Sequence, residues 1–258
     1  MKQVKFLMVA LTILMGTMVT SCMNGEKDPM VSGTNFMRIK SGDGLFSKYV
    51  FEAGENLTFT ATNTVTNFDA SRGDIALVYW RYDSSLQEVN QNTKNVDVEV
   101  LGANNITSRF AVASAEGEPG DVESNVPVMT LEPNNMKPGF YDKENLILSI
   151  GHKAESDLAK HTFTLVYLEN AVEEKAASDT TLKLYLRHVT QEDKSKETKN
   201  GISYCAFDFS EALRLFKDKN GKNPTQIVVV VKENSSSNKL EDAETKDKEY
   251  TLDYKFDK

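Results

Sequence analysis

The chain has 258 residues, with 38 acidic against 30 basic side chains and a formal net charge of −8 at pH 7. That length suits one large or two small domains, each able to bury a core without covalent staples. An acidic chain repels phosphate backbones, so nucleic acid is excluded as an expected partner.

Lys2 and Lys5 give a short basic start, Phe6 to Val19 is an uncharged apolar run, and Val19-Thr20-Ser21-Cys22 adds small residues ending on a cysteine. That order is the anatomy of a secretory signal peptide. The apolar run is shorter than the ~20 residues a spanning helix needs. The last four residues resemble the lipobox of bacterial lipoproteins, which implies that residues 1–21 are a leader and that Cys22 is lipidated. Each buried CH₂ of a lipid stabilises membrane binding by about 0.8 kcal/mol. Losing Lys2 and Lys5 with the leader moves the formal charge from −8 to −10. Residues 22–35 are polar and carry Gly25, Pro29 and Gly33, and they read as a flexible tether.

Short strands follow. Phe36 to Lys40 and Leu45 to Glu52 flank the turn Ser41-Gly42-Asp43-Gly44, and Leu57 to Thr62 alternates with period two. Ile75 to Tyr82 is the strongest strand of this half. In Val96 to Val100, valines alternate with Asp97 and Glu99, the pattern of a sheet with one wet face. Ile106 to Ala113 completes the set. Ala115 to Asn125 is acidic and Gly/Pro-bearing, which marks a domain boundary. Beyond it, Val126–Leu131, Asn145–Ile150, Thr162–Leu168, Thr181–Val189, Ile202–Phe209, Gln226–Lys232 and Tyr250–Phe256 read as strands. Seven strands over this length is the profile of a β-sandwich. Ile227 to Val231 is apolar throughout and predicts a central strand. One helix is predicted from Ser210, with Glu211 in its first turn and Gly221 at its end. The hydrophilic stretches 190–200 and 233–248 predict solvated loops.

Chemistry-bearing motifs are absent: no Gly-x-Ser-x-Gly, phosphate loop, His-x-x-x-His or Cys-x-x-Cys. Cys205 shares a strand face with Phe207 and Phe209, so it reads as a small buried hydrophobe rather than a nucleophile. A zinc site would want His152, His161 and His188 together, or some of them with carboxylates. His152 and His161 flank a hairpin-like loop and could approach each other, but polar residues at strand ends are ordinary. His188 shares a face with Leu182, Leu184 and Leu186, which predicts a half-buried, hydrogen-bonded ring. Neither metal nor cofactor is expected. Trp80 and Tyr82 share a strand face with Ala76 and Val78; such aromatics either fill a core or stack on bases or sugars. They are the candidate ligand-binding residues.

Several segments together resemble the NigD-like family of lipoproteins from gut-dwelling Gram-negative anaerobes. They are Gly73-Asp74-Ile75-Ala76-Leu77-Val78-Tyr79, Val96-Asp97-Val98-Glu99-Val100, His161-Thr162-Phe163-Thr164-Leu165-Val166-Tyr167, Thr181 to His188 with Asp193, and Ala206-Phe207-Asp208-Phe209-Ser210. The resemblance covers most of the mature chain. It implies an all-β protein: an OB-like barrel over residues 36–115, then an antiparallel β-sandwich over 126–258. The expected function is a non-enzymatic, lipid-anchored envelope module that binds an envelope protein or glycan. Its expected location is the outer membrane of a Gram-negative bacterium, on the cell surface or the periplasmic face. The rival expectation is a fimbrillin-like structural subunit.

Overall fold

The computed structural model describes residues 29–42, 48–54, 56–66, 68, 70–114, 122–155, 160–169, 180–192 and 198–256. The leader, Cys22 and residues 22–28 of the tether lie outside the described residues, as does most of the 115–125 boundary. The chain divides into two units between Ile106 and Thr107.

The first unit is a closed five-stranded barrel. Its strands are β1 (Met30–Ser41), β2 (Val50–Gly54), β3 (Leu57–Ala61), β4 (Ile75–Asp83) and β5 (Asn95–Asn105). They close in the order β1-β2-β3-β5-β4, with β1 antiparallel to both β2 and β4, and β3 parallel to β5. This is the OB-like barrel expected, and closure removes the exposed edges an open sheet would leave. Val96, Val98 and Val100 point inward with Met37, Ile39, Phe51, Phe59, Val78 and Trp80. Asp97 is exposed and Glu99 half-buried, so the alternation along β5 sorts its side chains as the pattern requires.

The tether reading ends too late. From Met30 the backbone is strand, paired residue by residue with β4 from Met30↔Asp83 to Arg38↔Ile75. Polar, half-buried side chains can occupy a strand when the neighbouring strand satisfies every backbone group. Gly33, which suggests flexibility in isolation, sits opposite Trp80. A Cβ there would lie 2.6 Å from Trp80 Cζ2, so the glycine makes room for the indole.

The second unit is a two-sheet sandwich. Its elements are β6 (Thr107–Phe110), β7 (Val112–Ser114), β8 (Gly139–Phe140), β9 (Asn145–Ala154), β10 (His161–Leu168), β11 (Thr181–Thr190), β12 (Lys199–Asp208), α1 (Ser210–Asn220), β13 (Gln226–Glu233) and β14 (Lys246–Asp253). One sheet runs β14-β13-β11-β10-β7 and the other β6-β12-β9-β8. The long pairings β9–β12, β10–β11 and β13–β14 are antiparallel. Three others are parallel: β7 with β10, β6 with β12, and β11 with β13. A parallel pair needs a long crossover, and between β11 and β13 the chain supplies it through β12 and α1.

Three sequence expectations shift here. The run Ile106 to Ala113 does not finish the barrel; it breaks after Ile106 into β6 and β7, which pair with β12 and β10 in the sandwich. Residues 126–131 are not a strand. Val128 bridges Glu233 in one sheet and Thr130 bridges Gly151 in the other, so the segment crosses between sheets and pairs with neither for long. The hydrophilic 233–248 stretch ends inside β14, an edge strand whose Asp247 and Lys248 ion-pair across to Lys232 and Glu233. Charged side chains are a regular protection for an exposed edge.

Ile227, Val229 and Val231 of β13 are buried with Leu182, Leu184, Leu186, Leu146, Leu148, Ile150, Phe163 and Phe207 in the sandwich core. The helix begins at Ser210, whose N–H is held by Asp208 Oδ1 at 2.9 Å. It ends at Gly221 with φ 69°, whose N–H bonds Lys217 O, the left-handed cap that favours glycine.

Candidate functional site: three buried histidines

Trp80 and Tyr82 are not a surface site. Trp80 is 2% exposed, stands edge-on to Phe59 at 4.9 Å, and stacks on the half-buried Tyr82 at 6.1 Å. Its Nε1–H donates to Asn35 Oδ1 at 2.8 Å. The shared face with Ala76 and Val78 holds, and it is the inside of the barrel. Tyr79 of β4 is 39% exposed and points outward.

The chemistry-bearing cluster lies in the sandwich, where one strand of the four-stranded sheet meets two of the five-stranded sheet. Each histidine ends an inward row. His152 follows Leu146, Leu148 and Ile150 on β9; His161 precedes Phe163, Leu165 and Tyr167 on β10; His188 follows Leu182, Leu184 and Leu186 on β11. Side chains two residues apart share a face, so all three imidazoles point into the core. On the shared sheet, His188 pairs with Phe163 and His161 with Thr190, which leaves the two histidines diagonal neighbours. His152 approaches from the facing sheet, its ring centroid 4.5 Å from that of His161 and 5.5 Å from that of His188. The three are 0%, 7% and 1% exposed.

An oxygen faces the outer nitrogen of each ring. His188 Nδ1 lies 3.1 Å from Pro127 O, His152 Nε2 lies 2.9 Å from Ser203 Oγ, and His161 Nε2 lies 3.1 Å from Glu192 Oε2. The last pair is within ion-pair distance but outside hydrogen-bond geometry. Glu192 is itself buried, and its Oε2 accepts the Glu155 N–H at 2.7 Å. On the inner side, His161 Nδ1 and His188 Nε2 are 2.9 Å apart. His152 Nδ1 is buried with no hydrogen-bond partner among the described residues. Neighbouring residues fix the end of β11: Ser124 Oγ accepts the His188 N–H, and the Asn125 side chain bonds both Thr190 N and Thr190 O.

The proton accounting is constrained. A carbonyl only accepts, so His188 carries its proton on Nδ1 and a neutral ring leaves Nε2 bare. His161 Nδ1 must then donate to it. Burial, followed by repulsion from His161, pushes the His152 pKa down to about 4. Burial, followed by repulsion from His152, pushes that of His188 down to about 3. Both rings are therefore neutral near pH 7, with nitrogen lone pairs available as donors. One ring nitrogen from each histidine lies within 4.8 Å of the other two, a set able to hold a metal ion.

The sequence reading placed His152 near His161 but gave precedence to strand-end polarity and expected no metal. The available signal was parity: in three strands a histidine occupies the face otherwise filled by Leu, Ile and Phe. Cys205 behaves as read; it is free, 2% exposed, and burial pushes its thiol pKa up to about 12.

No protein-family model and no curated protein matches the sequence. Among solved structures, the chain is similar to a candidate lipoprotein from Bacteroides fragilis, at 25% identity and TM-score 0.70, covering 87% of this chain and 98% of that one. It shares its fold with a protein of unknown function from Bacteroides vulgatus, at 11% identity and TM-score 0.56 over 87% and 91% of the two chains. It also shares its fold with a NigD-like immunity protein from Bacteroides caccae, at 17% identity and TM-score 0.52 over 84% and 91%.

Proposed function

We propose that this chain, which has the fold of the NigD-like proteins, is a lipid-anchored protein of the Gram-negative cell envelope that acts by binding a partner rather than by catalysis. One observation carries the reading: a leader ending in Val19-Thr20-Ser21-Cys22 stands ahead of a fold shared with a candidate lipoprotein over 87% of this chain and 98% of that one. Lipid on Cys22 holds the protein at the outer membrane. The binding reading is supported by where the reactive groups sit. All three histidines and Cys205 are sealed in the sandwich core, out of reach of a substrate in solution, whereas general acid-base or nucleophilic groups must reach the reacting atom.

The partner is an envelope or extracellular protein or glycan. A neighbour in the same fold is described as an immunity protein, so protein partners are the first class to assay. The test is protease treatment of intact cells, blotting for this chain, with Cys22→Ala as control, together with metabolic labelling by a clickable fatty acid. Labelling and membrane retention that depend on Cys22 support the anchor; a soluble, unlabelled wild-type protein refutes it. Cleavage on intact cells places the protein on the surface, and cleavage only after outer-membrane rupture places it on the periplasmic face. Ladders that survive mild heating in detergent would replace the binding reading with that of a fimbrillin-like subunit.

A further inference from the structure

We propose that His152, His161 and His188 form a buried transition-metal site, of the class that takes Zn(II), which fastens the two sheets of the sandwich together. The ligand set is three imidazoles, suited to Zn, Cu, Ni or Fe rather than Mg or Ca. His152 comes from β9 in one sheet; His161 and His188 come from β10 and β11 in the other. A single ion held by all three therefore cross-links the layers.

Two features of the geometry agree. First, an oxygen faces the outer nitrogen of every ring: a backbone carbonyl bonded to His188, a hydroxyl bonded to His152, and for His161 the Glu192 carboxylate at ion-pair distance. Such partners fix tautomer and ring orientation in metal-binding histidines and raise their basicity. Second, the inner nitrogens converge, two of them at 2.9 Å and one from each ring within 4.8 Å of the others. Tetrahedral zinc at about 2.0–2.1 Å from each nitrogen needs roughly 3.3 Å between nitrogens, so the His161–His188 pair must open by a few tenths of an ångström and the third nitrogen close by up to about 1.5 Å. With an ion between the rings, each inner lone pair meets the metal. The buried Nδ1 of His152 then has a partner, and the Glu192 carboxylate offsets part of the ion's charge.

Because the rings are sealed from solvent, the ion is taken up as the sandwich folds and leaves only when it opens. It would serve the role that disulfides usually fill in exported domains: one of the two cysteines is the lipidation candidate and Cys205 is free in the core.

The test uses the full-length protein in detergent, with no histidine tag, refolded in a chelator and then in Zn(II) or Co(II). The expected result is one equivalent of Zn(II) per chain, visible ligand-field bands of tetrahedral Co(II), and a rise in Tm of about 5 °C or more. Ser203→Ala should keep the stoichiometry and weaken affinity by about 10- to 100-fold; His152→Gln should abolish it while keeping the far-UV spectrum. The chain has only three histidines, so nitrogen ligation of Co(II) by wild type locates the ion even if His152→Gln fails to fold. Sub-stoichiometric binding by refolded wild type would overturn the proposal, as would one tight equivalent retained in folded His152→Gln.

Discussion

Gly33→Ala tests whether residues 30–35 belong to the barrel or to a tether. In the structure a Cβ at Gly33 would sit 2.6 Å from Trp80 Cζ2 and 3.0 Å from Trp80 Cε2. The indole cannot move away freely, because Phe59 and Tyr82 flank it and Asn35 binds its Nε1. Overpacking of this kind costs about 1–3 kcal/mol. Replacing glycine also stiffens the unfolded chain, which returns about 0.4–1 kcal/mol. The net expectation is destabilisation of the barrel by about 1–2 kcal/mol. Trp80 is the sole tryptophan and lies in the barrel, so its emission during urea denaturation reports this unit directly. In a Trp80→Leu background, followed by circular dichroism, the same Gly33→Ala change should be neutral or stabilising, giving a coupling of similar size. If Gly33→Ala is neutral or stabilising with Trp80 present, the segment is not packed against the indole and the strand assignment from Met30 fails.

Trp80→Ala should cost the barrel about 3–5 kcal/mol, seen as a lower urea midpoint by circular dichroism; a loss below 1 kcal/mol would return Trp80 to the surface-site reading. Cys205 should resist Ellman's reagent in the native state and react only as fast as the sandwich opens, because it is buried with its pKa pushed up to about 12; rapid native labelling would contradict this. Chelated protein should lose stability as pH falls from about 6.5 toward 4. The folded pKa of His152, about 4, lies below its unfolded value, so the unfolded state binds more protons across that window and stability rises with pH there. The loss for His152 alone is on the order of 3 kcal/mol, and a urea midpoint that does not change between pH 7 and 4 would refute the depressed pKa.

The alternation of Val96, Val98 and Val100 with Asp97 and Glu99, and the leucine rows of residues 182–186, already determine an all-β chain, because a period of two is a property of the strand itself. The apolar run 227–231 determines a central strand for the same local reason, and the leader is legible because its signal is linear. What a single strand cannot specify is which of its faces is inside. Trp80 and Tyr82 have the same period whether they line a core or a surface, and only closure of β1 against β4 decided the matter. The same holds for Met30 to Asn35, whose polar sequence resembles a tether until a partner strand satisfies its backbone. It holds most of all for the histidines: His152 and His188 are 36 positions apart on strands of different sheets, and only the stacking of one sheet on the other turns three strand-end residues into one cluster.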